Sequence, residues 1–283
     1  MRNSMLTLTL VGLMAVSCDT TVVEDTKNEG IDRIEVSSYT SNSVIDSPKE
    51  VINEIKLENG IRIKWFEHGE GDKLMQGDCV SIDYKVALED NVIVDGNHLL
   101  KKESLPFLLG FNMQTTGWEI ALKELRVGDF AEVFIPSKLA RGEKGIDGLI
   151  PPNADNILRI RILEKIKPSR EVDGNKVWVF EENESNTVHF KEGYEINFHC
   201  MVSTPSNPLY VNTYRANKPI KMSLGDGGLV PGLKKALINA KKSDRMFVYV
   251  PSSEAYGKKG YQDVVMANED LFYNILVMDV VKK

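Results

Sequence analysis

The chain has 283 residues, 42% of them apolar, and a formal charge of −6. That length suits about two domains of ordinary size with sizeable cores. No basic stripe is present, which excludes the usual nucleic-acid partner, and three cysteines cannot build a disulfide framework.

Residues 1–18 read as a targeting segment. Arg2 supplies a positive start, residues 5–16 form an apolar run too short to span a bilayer, and Ala15, Val16 and Ser17 place small residues before Cys18. This order is similar to a bacterial lipoprotein signal, in which Cys18 carries the lipid and becomes the first mature residue. Ala15 stands where such signals favour leucine, so an ordinary signal peptide with a chance cysteine is the alternative. A lipid anchor at Cys18 implies an envelope location, periplasm-facing or at the surface.

Residues 19–52 read as an acidic linker. Up to residue 50 this stretch holds eight acids against three bases and almost no aromatics, a composition that cannot bury enough apolar surface to order itself. A short helix is possible over residues 48–55. The first folded unit is assigned to residues 53–168. Asn59-Gly60 signals a turn, residues 61–66 a strand, and residues 79–88 a strand with Val80, Ile82, Tyr84 and Val86 on one face. Residues 92–95 return as a further strand. Trp118, Ala121, Leu122 and Leu125 then share one helical face, Val127-Gly128-Asp129 makes a turn, and residues 130–136 and 157–166 complete the strands.

The second unit, residues 169–283, repeats the first. Gly110 and Gly225, Gly117 and Gly232, Gly142 and Gly257, Gly145 and Gly260, and Ile150 and Val265 are each 115 residues apart. Leu233, Ala236, Leu237 and Ala240 repeat the helical face. A period this long means a duplicated domain, not a solenoid.

Leu109-Gly110, Gly117-Trp118-Glu119, Val127-Gly128, Gly142, Gly145 and Ile150-Pro151-Pro152 together resemble the FKBP-type peptidyl-prolyl isomerases. The resemblance implies an α+β fold of two FKBP-like domains. Each is a half-open antiparallel β-sheet wrapped around one short α-helix. It also implies isomerase (rotamase) activity on X–Pro bonds, with the indole of Trp118 as the floor of an apolar hollow wide enough for a proline ring. Tyr84 and Asp95 match a wall tyrosine and its polar neighbour, Ile150 matches a wall aliphatic, and Thr115 matches the place whose backbone N–H holds a substrate carbonyl. The sequence departs from the family at Val94, Leu105 and Leu158, where aromatics are common. It departs again at Arg141, where a loop tyrosine normally donates a hydrogen bond. These departures imply weak activity.

In the second unit Tyr256, Val265 and Tyr273 keep family positions. Leu233 replaces the floor tryptophan, Cys200 the wall tyrosine, and Met266-Ala267 the Pro-Pro pair. The acidic wall position falls on Val211 or Asn212. This unit is expected to be catalytically idle. X–Pro rotation needs no nucleophile, metal or cofactor, only apolar walls and placed donors, and the four histidines lack metal-ligand spacing. The partners implied are proline-containing unfolded or exported proteins, with the membrane through Cys18. The rival reading is a non-catalytic chaperone or assembly factor of an envelope or motility complex on the same scaffold.

Overall fold

The computed structural model describes residues 50–182 and 186–283; the expected targeting segment with Cys18, and the expected linker up to residue 49, lie outside the described residues. The first sheet comprises β1 (Asn53–Lys56), β2 (Arg62–Glu67), β3 (Cys79–Leu88), β4 (Ile93–Gly96), β5 (Leu105–Leu108), β6 (Phe130–Ile135) and β7 (Asn156–Lys165), with helix α1 (Thr116–Leu122). Its order is β1-β2-β6-β7-β3-β4, with β5 also on β3. The second sheet comprises β8 (Arg170–Val172), β9 (Asn175–Glu181), β10 (Tyr194–Ser203), β11 (Val211–Asn212), β12 (Ile220–Met222), β13 (Arg245–Val250) and β14 (Leu271–Lys282), with helix α2 (Pro231–Leu237). Its order, β8-β9-β13-β14-β10-β11 with β12 on β10, repeats the first strand for strand. The 115-residue period is therefore a period in topology as well as in sequence.

Of the possible helix over residues 48–55, the described part, residues 50–55, forms no helix. Asn53–Lys56 pairs antiparallel with β2, Ile55 opposite Ile63, because Gly60 at φ +94° closes a tight turn with its N–H donating to Leu57 O at 3.0 Å. Leu125 and Ala240, which the spacing places on helical faces, lie beyond the helix ends yet stay buried. In the first unit the turn after the helix is held by the buried Asp129 carboxylate. It accepts from Arg126 N at 3.1 Å, Gly69 N at 2.8 Å and Trp65 Nε1 at 2.9 Å. Gly128 is required in that turn: its φ is +93°, and a Cβ there would lie 2.8 Å from Gly69 Cα.

In β7, Leu158, Ile160 and Ile162 are fully buried and alternate with the partly exposed Arg159 and Arg161. One face of this sheet is thus core and the other is solvated. The core-facing side chains meet α1, whose Trp118, Ala121 and Leu122 are buried; each large apolar side chain so placed contributes roughly 1.5–3 kcal/mol. The close approach of helix and sheet explains Gly117, where a Cβ would sit 2.2 Å from Ile135 Cγ2. Gly232 plays the same part in α2, 2.5 Å from Val250 Cγ1.

The second sheet is covered on both faces. Val177, Met246, Val248, Val250, Tyr273 and Ile275 pack with α2 in one core. Trp178, Phe247 and Phe272 point the other way and belong to the core of the first unit. There the Phe111 ring meets Phe272 at 5.9 Å and Tyr249 at 5.8 Å between centroids. Trp178 Nε1 donates to Ile166 O at 2.8 Å across the same seam. The two repeats are fused through an aromatic layer.

Candidate active site

Three elements of the first unit converge on one indole. Trp118 enters from the first turn of α1 and is 2% exposed. From β3, the Tyr84 ring meets it edge-on, 5.0 Å between centroids at 83°. From β5, Phe107 lies nearly parallel to it at 5.8 Å and 19°. Such edge-to-face and offset pairs are favourable arrangements for aromatic quadrupoles. Above them is a small, partly open cleft with a free volume of about 10 Å³, lined by Ile82, Tyr84, Leu105, Pro106, Phe107, Gln114 and Trp118; that is roughly the room of one water.

Of the residues expected at the site, Tyr84, Leu105 and Trp118 line this cleft. Asp95 joins them through a hydrogen bond, Tyr84 Oη donating to Asp95 Oδ1 at 3.2 Å, and Gly96 N donates to the same oxygen at 2.8 Å. Thr115 is the residue before α1, and its buried hydroxyl has no partner. Ile150 is buried where the loop after β6 folds back, with Ile146 N to Ile150 O at 2.8 Å. That fold-back needs Gly145: a Cβ at its φ of +60° would sit 2.2 Å from Ile150 O. Val94 and Leu158 are buried wall residues outside the cleft lining, Leu158 lying opposite Val86 in the β3–β7 ladder.

The hollow is narrower than the sequence reading expects. Tyr84 and Phe107 cover the indole. Arg141 reaches from its loop to Gln114, Nη2 donating to Oε1 at 3.0 Å. Four cleft residues, Ile82, Pro106, Phe107 and Gln114, are not among the site residues that the sequence points to. The alternation in Leu105-Pro106-Phe107 puts Phe107 and Leu105 on one face of β5, which is the signal that points to Phe107.

Electrostatically the site is apolar with one buried acid pair. Burial raises the Asp95 carboxyl above its ordinary value, against the lowering influence of Gly96 N–H, the Tyr84 hydroxyl and the Arg141 charge. Burial, with Asp95 nearby, pushes the Tyr84 phenol well above its usual range, so Tyr84 is a fixed O–H donor at all ordinary pH. Burial lowers the Arg141 guanidinium, with Asp95 opposing. The arrangement offers walls, a floor and donors, and no activated nucleophile. Among the described residues no group of three His, Cys, Asp or Glu is placed to hold a metal.

The second unit has a different arrangement at the equivalent place. Val86 pairs with Asp95, and Val202 pairs with Val211, so register puts Val211 at the Asp95 position and Tyr210 at that of Val94. Tyr210 and Tyr256 share a hydroxyl–hydroxyl hydrogen bond of 2.9 Å, and Tyr256 stacks on Tyr261 at 4.8 Å and 24°. Leu233, Cys200, Val265 and Tyr273 are all core residues. The Cys200 thiol is pushed up to about 12 by burial, which leaves it a small hydrophobe.

Comparison with known proteins follows the duplication. The family model for FKBP-type peptidyl-prolyl cis-trans isomerase matches residues 71–163 and 186–278. FK506-binding protein 1 of Candida glabrata is 33% identical over 111 residues, covering 38% of this chain and 95% of that protein. Peptidyl-prolyl cis-trans isomerase FKBP10 of Homo sapiens is 24% identical over 206 residues. That alignment covers 73% of this chain, and the chain spans about a third (35%) of the length of the human protein. A crystal structure of the three FKBP domains of wheat FKBP73 aligns at 21% identity and a TM-score of 0.40, over 80% of this chain and 97% of that one. With the family matched once in each sheet, this chain belongs to the FKBP-type peptidyl-prolyl cis-trans isomerases, as a tandem of two domains.

Proposed function

We propose that the first unit catalyses cis/trans isomerisation of X–Pro bonds in exported proteins and that the second is catalytically idle. The observation carrying this reading is the Trp118–Tyr84–Asp95 group beneath a small apolar cleft. An apolar floor disfavours the charge-separated planar amide relative to the twisted one, and a backbone N–H at Thr115 would hold a neighbouring carbonyl. The barrier to be lowered is about 18–20 kcal/mol. The closed tyrosine cluster of the second unit supports an idle second site.

A protease-coupled assay on a short X–Pro peptide tests the reading. Turnover above the uncatalysed rate, lost in Trp118→Ala, supports it; a rate equal to background sinks it. The lipid anchor at Cys18 and an envelope location belong to the same proposal. They are tested by incorporation of labelled palmitate into the wild type and not into Cys18→Ser.

A second reading, a non-catalytic clasp for unfolded chains, is favoured by the coverage of the indole and by the Arg141–Gln114 bridge. It predicts suppression of aggregation for a client whose folding involves no proline step, with no rotamase rate.

A further inference from the structure

The loop between β5 and α1, residues 109–115, leads into the Thr115 site and carries Gln114. It is held from two directions. On its own side the Glu119 carboxylate accepts Gly110 N at 2.7 Å and Asn112 N at 2.8 Å. On the other side it is held by the second unit. Ser203 Oγ, at the end of β10, donates to Phe111 O at 2.6 Å. Asn112 Nδ2 donates to Thr204 O at 2.9 Å and to Pro205 O at 3.0 Å. Ser203, Thr204 and Phe111 are all buried, and Asn112 sits at φ +54°, a conformation few side chains adopt readily.

The gripping segment is itself rigid. Thr204 N donates to Asn207 O at 2.9 Å, and Asn207 N donates back to Thr204 Oγ1 at 3.0 Å. Ser206 N donates to Glu269 Oε1 at 2.9 Å, and Asn207 Nδ2 to Val264 O at 3.0 Å. The second unit thus presents a fixed turn, braced on its own residues, to a loop whose Phe111 carbonyl and Asn112 side chain it holds, while the first unit holds the same loop through Glu119, Asp78 O and Arg141.

We infer that Ser203 and the backbone of Thr204 and Pro205 are positioning elements for the first unit's substrate site, acting through Phe111 and Asn112 on the backbone at Gln114 and Thr115. The second unit, without a site of its own, completes that of the first. Small displacements of a positioned donor cost rate steeply, so the idle repeat sets the activity of its neighbour. This rests on the isomerase reading above.

The test uses the full chain and the variants Ser203→Ala, Ser203→Thr and Asn112→Gly, the glycine preserving the positive φ. Each loss of a hydrogen bond at the clamp should lower kcat/KM by about fivefold, with Ser203→Thr restoring it. Trp178→Phe, which removes the seam hydrogen bond to Ile166 O and none at the loop, should leave kinetics at the wild-type value. Amide hydrogen exchange at residues 111–115 should quicken in Ser203→Ala and Asn112→Gly and not in Trp178→Phe. Unchanged exchange at those amides overturns the inference even if the wild type shows no turnover. With an active wild type, equal kinetic losses in Trp178→Phe and Ser203→Ala overturn it too, since the seam would then act only through general stability.

Discussion

Tyr210 and Tyr256 face each other across the mouth of the second unit, their hydroxyls 2.9 Å apart. In the first unit the same two positions hold Val94 and Arg141, and Arg141 bonds Gln114 instead. The mouth of the second unit is bridged by a phenol pair and that of the first by a guanidinium. Tyr256→Phe removes the phenol bond, and we expect a cost of about 1 kcal/mol in urea-midpoint stability with X–Pro turnover unchanged. A fall in turnover would place catalysis in the wrong unit.

Arg141 is the residue to change for a gain. Arg141→Tyr releases Gln114 and returns a short, rigid O–H donor to the loop beside Asp95. We expect kcat/KM to rise several-fold, on the order of 1 kcal/mol in transition-state binding. A decrease would mean that the guanidinium itself contacts substrate.

Trp118→Leu places in the first unit the side chain that the second already carries at Leu233. Because the indole is buried, some stability is lost, less than the roughly 3–5 kcal/mol typical of truncating a buried Trp to Ala. The fold should persist, as it does around Leu233, while turnover falls at least tenfold. Retention of full activity in a folded Trp118→Leu protein removes the floor from the mechanism.

Asp95 gives a pH signature with a definite sign. Its folded carboxyl lies above the ordinary value because of burial, so the folded state takes up a proton before the unfolded state does as pH falls. Relative to Asp95→Asn, the wild type should therefore gain stability on acidification, starting from the raised folded value. The gain should be complete below the ordinary carboxylate range and is lost again as pH rises. Paired denaturation curves of the two proteins from pH 7 downward check this. A difference that stays flat or shrinks on acidification contradicts the burial argument.

The repeat and the Trp118 site were legible because glycines punctuate them at fixed offsets, and those glycines have steric reasons at Gly117 and Gly145. Tyr210 was not legible as the partner of Val94. β11 has two residues and no alternation to set register, so only the observed pairing of Val202 with Val211 decides it. The seam was missed although a trace of it was present. The runs around Trp178 and Phe247 are continuously apolar, where β7 alternates Leu-Arg-Ile-Arg-Ile. Continuous runs mark strands covered on both faces. No pattern says what the second cover is, so the contact of Asn112 with Thr204 could come only from the assembled chain.

The bond from Trp178 to Ile166 and the rings gathered about Phe111 leave no seam along which this protein could be halved. A fragment ending near residue 168 would display bare Phe111, and its complement would bare Trp178, Phe247 and Phe272. Each half would be a sticky panel seeking its twin. The undivided chain should melt once in a calorimeter, and either half expressed alone should precipitate or pair with itself.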